Sequence, residues 1–251
     1  MINYLIRGVL PLVFVSIALI SSSAQASLVF VGLVPGGGAG IGTSNVVLTL
    51  QNTGTESGCV GWNGTTDVVG SAACPTAGTN PVVPISPAIP GGNEKTGNSQ
   101  TQTQTVTAAG ITTGSALTVI LNANEPGGDQ IIVNNLSLTI YSSTGAVLFN
   151  SGNLFGAPRT IDSTFQGQGN LGFGFRLDDA QAAAANPFIT CPSCGSNRIG
   201  IAALLSDAQG SNETLSIVNI VPEPYTLLTI VGGLIALGLF RRFKRTNPAI
   251  E

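Results

Sequence analysis

Leu117-Thr118-Val119-Ile120-Leu121-Asn122, Gln130-Ile131-Ile132-Val133, Leu136-Ser137-Leu138-Thr139-Ile140-Tyr141 and Ala146-Val147-Leu148-Phe149 make up the most regular stretch of this chain. These runs are short and rich in β-branched residues, which fit a pleated, half-buried surface. Turn formers separate them: Glu125-Pro126-Gly127-Gly128-Asp129, and Ser142-Ser143-Thr144-Gly145. The second of these predicts a hairpin between 136–141 and 146–149.

Working outward, Asn45 to Asn52 reads as a strand, with Asn52-Thr53-Gly54-Thr55 as its turn, and Ser27 to Leu33 alternates weakly. Residues 53–98 are rich in Gly, Pro, Thr and Asn without a clear period, and are expected to form a long irregular loop region. Gln100 to Thr107 alternates Thr and Gln, which suggests a strand exposed on one or both faces, with disorder as the alternative. Downstream, Gly172 to Leu177 alternates like a strand. Asp178 or Asp179 then caps a short helix through Ala180 to Ala185, which Asn186-Pro187 stops. Ile199 to Leu205 and Thr214 to Ile220 are the last strands. Many short strands and one small helix predict a mainly β fold, an antiparallel β-sandwich of jelly-roll-like form over residues 27–221.

Both ends read as addresses. Arg7 is the only charge before Glu56, and Val9 to Ile20 is apolar. Ala24-Gln25-Ala26 then fits the small-x-small pattern of a signal-peptidase site, making 1–26 a signal peptide and Ser27 the first mature residue. At the other end stand Val221-Pro222-Glu223-Pro224, an apolar run from Tyr225 to Phe240, and a basic stop of Arg241, Arg242, Lys244 and Arg245. A helix over 225–240 covers about 24 Å, just under a typical hydrocarbon core. The basic cluster holds this end in the cytoplasm. The domain between the two segments is therefore expected outside the cytoplasmic membrane, tethered at first by its C-terminal helix.

The run 221–245 resembles the PEP-CTERM sorting signal of Gram-negative bacteria: a short Pro-Glu-Pro motif, a transmembrane helix and a basic end. The resemblance covers roughly a tenth of the chain. It implies recognition by exosortase, a membrane enzyme that removes the tail and passes the protein toward the cell surface. Pro222 and Pro224 hold the motif extended, so it can enter a protease groove without unwinding. Residues 104–220 are similar in pattern to the exported domains of other PEP-CTERM proteins, which supports the fold only.

Composition narrows the chemistry. The 251-residue chain has no His, which excludes Ser-His-Asp and Cys-His triads and imidazole-bound zinc. Between the two targeting segments Lys95, Arg159, Arg176 and Arg198 are the basic residues, and the acidic residues outnumber them. That balance argues against nucleic acid as a partner. No cofactor is expected.

All four cysteines, Cys59, Cys74, Cys191 and Cys194, lie in the exported part, and an even count in an oxidising compartment suggests disulfides. Of the three possible pairings, Cys59 with Cys74 and Cys191 with Cys194 is favoured. The rivals for Cys191-Pro192-Ser193-Cys194 are a redox motif, disfavoured by the turn formers around it, and a four-Cys zinc site. Glu125 and Asp129 form a calcium candidate, against the plainer reading of an acidic turn. Trp62 is the sole tryptophan and is expected either to pack on the Cys59 disulfide or to stack on a sugar. Asp178 and Asp179 are better explained by the helix N-terminus than by acid–base catalysis. The functional expectation is a non-catalytic structural or adhesive protein of the envelope or extracellular matrix, with exopolysaccharide as a possible partner. The alternatives are a carbohydrate-binding module and a hydrolase working with carboxylates alone.

Overall fold

The computed structural model describes residues 27–35, 45–75, 85–97, 100–123, 130–162 and 171–220. The signal-cleavage residues Ala24 and Ala26, the calcium candidates Glu125 and Asp129, the motif Val221 to Pro224, the helix 225–240 and the basic stop Arg241 to Arg245 lie outside them. Among the described residues, no helix is long and apolar enough to cross a membrane.

Two sheets share one hydrophobic core. The first carries, in spatial order, β2 (Asn45–Leu50), β13 (Glu213–Asn219), β6 (Leu117–Asn122), β11 (Leu171–Leu177), β1 (Ser27–Pro35) and β9 (Asn153–Leu154). The second runs β10 (Arg159–Asp162), β7 (Gln130–Tyr141), β12 (Arg198–Gln209), β3 (Thr53–Trp62) and β4 (Asp67–Val69). In that sheet β5 (Gln104–Thr105) also pairs with β12, and β8 (Val147–Asn150) with β7. The pairings are antiparallel except for the short parallel contact of β1 with β9. Among the described residues one α-helix, α1 (Asp179–Ala185), follows β11.

Alternation fills the core. Leu117, Val119 and Leu121 of β6 meet Leu136, Leu138 and Ile140 of β7 and Ile199, Ile201, Ala203 and Leu205 of β12 in one buried cluster. Burying each Leu or Ile side chain stabilises the fold by about 1.5–3 kcal/mol. The expected strands 130–133 and 136–141 are one twelve-residue strand. The apolar parity changes between them, from Ile131 and Val133 to Leu136 and Leu138. The register against β12 shifts at the same place, where Leu204 pairs with Asn135 but Leu205 pairs with Val133. The β-bulge takes up the parity change, so both halves point inward.

Two expectations are corrected. Residues 53–98 are not a loop throughout, because Thr53–Trp62 is a long strand between β12 and β4. Its Gly and Ser content gives it little strand propensity of its own. Small residues are nonetheless required there: a Cβ on Gly58 would sit inside the contact distance of Leu50 Cδ2. The outer face of β3 is covered too, by a small cluster of Cys59, Ile85, Ile89 and Ala202. The Gln100–Thr107 run is likewise not an exposed strand. Only Gln104–Thr105 pairs as a strand, while Thr101 and Thr103 are buried. Thr101 Oγ1 accepts from Thr49 N at 3.2 Å, and Gln102 N donates to Val47 O at 3.0 Å. The ribbon thus closes the free edge of β2.

At Gly200, the third residue of β12, a Cβ would collide with the backbone carbonyl oxygen of Val60 and press on the Tyr141 ring. Gly200→Ala is therefore expected to destabilise the protein by about 1–3 kcal/mol. Urea unfolding of the two proteins, compared at equal slope, measures the difference.

Candidate functional site

Among the described residues, a concave feature sits where β3, β4, β7 and β8 meet. It is a cavity of about 450 Å³. Trp62, Val68, Ala73, Tyr141 and Val147 give it apolar walls, and Asn63, Thr139 and Asn150 give it amides and a hydroxyl. Among its described lining residues there is no Asp, Glu, Lys or Arg.

Each wall has a local cause. Trp62 ends β3, and its indole Nε1 donates to Ser143 O at 2.9 Å. This contact ties it to the turn between β7 and β8. That turn and the one after Trp62 lie backbone to backbone. Gly64 and Gly145 have φ of +100° and +90°, and a Cβ on either would overlap the other turn's main chain. Glycine is thus needed at both positions for conformation and for space. Arg198, on β12, lies over the indole with its guanidinium carbon 4.0 Å from the ring centre. The same guanidinium donates from Nε to Thr103 Oγ1 at 2.6 Å and from Nη2 to Thr103 O at 3.0 Å. Asp67 faces Arg198 at 3.7 Å and also accepts from the Thr103 amide at 3.0 Å and from the Thr103 hydroxyl. The charge behind Trp62 is therefore balanced locally, and the indole is held in one orientation.

Along the opposite wall, Asn150 Nδ2 donates to Thr139 Oγ1 at 2.7 Å, and Thr139 hydrogen-bonds the Tyr141 hydroxyl. Burial pushes the Tyr141 hydroxyl above the ordinary tyrosine range, and the Thr139 bond opposes this. The ring lies against Gly61 and Gly200, where any side chain would strike it.

The structure pairs Cys59 with Cys74 and Cys191 with Cys194. The first disulfide borders the cavity through Cys74, so Trp62 and the disulfide share a neighbourhood, as the sequence suggested. Cys59, Cys74 and Glu94 bring ligand-type atoms within 4.8 Å. The sulfurs are bonded to each other, however, and Glu94 Oε1 accepts the Cys59 amide at 2.7 Å, so this is a structural clamp. The Cys191–Cys194 bond spans short 3₁₀ turns between α1 and β12, without the helix N-terminus a redox motif needs. Asp178 caps α1 by accepting from Gln181 N at 2.8 Å, and Asp179 lies in the first turn. Tyr141, Arg198 and Asp67 carry no motif in the sequence; the only forward signal for this site was the solitary Trp62.

A second cavity, of about 370 Å³, is lined by Ser27, Asn134, Asn153 and the exposed Phe155. Its described lining too has no charged side chain.

Two expectations follow. Tyr141 stays neutral in the fold at a pH where an unfolded tyrosine, with its ordinary value of 10.0, has begun to ionise. Its contribution to stability is complete below pH 10 and is lost as pH rises beyond it. Tyr141→Phe should remove that alkaline loss from a series of urea unfolding curves. Arg198→Lys replaces a planar fork with a point charge, so it should cost about 1–2 kcal/mol and alter the emission of Trp62, the sole tryptophan. No family model, no curated protein and no solved structure matches this chain.

Proposed function

We propose that this is an exported, non-catalytic protein of the bacterial envelope, sorted by its PEP-CTERM-like tail and acting structurally or adhesively at the surface or in the extracellular matrix. The observation that carries the reading is the pair of disulfides, since both bonds fall in the stretch between the two targeting segments. Such bonds form and persist in oxidising compartments outside the cytoplasm. On this reading residues 27–221 form a jelly-roll-like sandwich, which the shared core of the two sheets supports. Exosortase would process Val221-Pro222-Glu223-Pro224 after Tyr225 to Phe240 has entered the membrane.

A non-catalytic role is supported by how the carboxylates are used. Asp67 is engaged by Arg198 and Thr103, Asp178 caps a helix, and Glu94 holds the Cys59 amide. Among the described residues, neither cavity is lined by an acid that a histidine-free hydrolase would need.

Alkaline phosphatase, active only where its disulfides form, tests the topology. Fused after Ile220 it should be active in intact cells, and fused after Glu251 it should be inactive. The reverse pattern would overturn the export reading. In a host with exosortase, Glu223→Ala should leave a longer precursor on a denaturing gel.

A further inference from the structure

We infer that the cavity beside Trp62 binds a short, uncharged saccharide; this rests on the adhesive reading above and names its ligand. Three features of the site point to that chemistry. First, about 450 Å³ lies within the range of small-molecule sites. Second, Trp62, Tyr141 and Val147 present apolar surface against which the C–H face of a pyranose can pack. Third, the polar groups beside them are Asn63, Thr139 and Asn150, held in place by bonds of Asn63 to Thr65 and Thr66 and of Asn150 to Ser137, Thr139 and Gly152; amides and hydroxyls both donate and accept, as sugar hydroxyls do.

Charge decides between ligand classes. The described lining holds no ionised side chain, and the Arg198 guanidinium lies on the indole with Asp67 beside it. A uronic acid or phosphorylated sugar would give up its hydration without gaining a counter-ion. A neutral sugar meets no such penalty. The lining likewise offers no carboxylate to a bridging calcium ion. The indole is also fixed before any ligand arrives, by Ser143 O on its N–H and by Arg198 on a face, so little side-chain freedom is lost on binding. The second cavity also has hydroxyls and amides, from Ser27, Ser86, Asn134 and Asn153, but among its described lining residues Phe155 is the one aromatic ring, and it is exposed.

Because Trp62 is the sole tryptophan, its fluorescence reports on this cavity alone. The full oxidised chain, in a detergent without a sugar head group, is titrated with cellohexaose, maltohexaose and mannohexaose, and with hexagalacturonate as the anionic arm. At least one neutral hexaose should shift or quench the emission saturably, and hexagalacturonate should bind about tenfold weaker or not at all. Val147 is 60 % exposed, so Val147→Glu should keep the fold while weakening neutral binding about tenfold. Trp62→Ala, followed by calorimetry, should abolish it. An unchanged melting temperature for Val147→Glu establishes that a loss is local. Silence with all three neutral sugars overturns the proposal. So does binding that Val147→Glu leaves intact, that favours the galacturonate, or that vanishes on adding a chelator. The phosphatase fusions read the export topology separately, so a failed titration leaves that reading standing.

Discussion

The bond between Cys59 and Cys74 joins β3, the strand next to the edge of its sheet, to the segment that packs over its outer face. Strand β3 has little propensity to be a strand, with Gly54, Gly58 and Gly61 along its length. It is held from several sides. On one edge it pairs with β12, on the other with β4. Over its outer face lie Ile85 and Ile89, packed with Cys59 and Ala202. Glu94 fixes the cover to the strand through the Cys59 amide, and Asn93 Oδ1 accepts the Ser57 amide at 2.9 Å. In the chain-entropy picture, closing a span of 15 residues stabilises the fold by about 3 kcal/mol. The cavity beside Trp62 depends on this arrangement, because Trp62 is the last residue of β3 and Cys74 lies on the cavity wall.

How far the fold could be read from the sequence follows from the same physics. β6, β11 and β12 declare themselves through apolar alternation, and α1 through its capping aspartate. β3 does not, since its burial comes from partners far along the chain and not from its own side chains. The two halves of β7 were visible, but not their union, because a bulge at Asn134 and Asn135 breaks the period that marks a strand. The Gln100–Thr107 run misled in the opposite way. It alternates like an exposed strand, yet Thr101 and Thr103 point inward to satisfy Thr49 and Asp67. A polar alternation does not say which of its polar faces is buried. β9 and β10 are too short to carry a period at all.

The site was less legible still. A lone tryptophan beside a cysteine suggested a neighbourhood, and the disulfide placed it there. Its companions came from distant points in the chain: Asp67 on β4, Thr103 before β5, Tyr141 at the end of β7 and Arg198 at the start of β12. Their order in sequence gives no sign that they meet. They meet because Arg198 pairs with Tyr141 on one edge of β12 and with Thr105 on the other, where β3 leaves that edge free. The crossing of these strands puts a guanidinium under an indole, and pairwise register, not local motif, creates the cavity.

An oxidising compartment widens what such a domain can use to stay folded. Disulfides do not persist in a reducing cytoplasm, so the Cys59–Cys74 and Cys191–Cys194 bonds suit a chain that folds outside it. Surface ion pairs contribute little in any compartment. Among this domain's polar contacts are hydroxyls and amides on backbone groups, such as Thr49 Oγ1 donating to Gln100 O at 2.6 Å and Asn135 Nδ2 donating to Pro87 O at 2.8 Å. Bonds between neutral groups depend little on the salt or pH of the medium, unlike those between charges. A cavity with uncharged walls is consistent with that economy. The ion pair behind Trp62, Arg198 with Asp67, is only about a quarter exposed, at 23 % and 26 %. There it positions a ring and stays off the cavity's described lining.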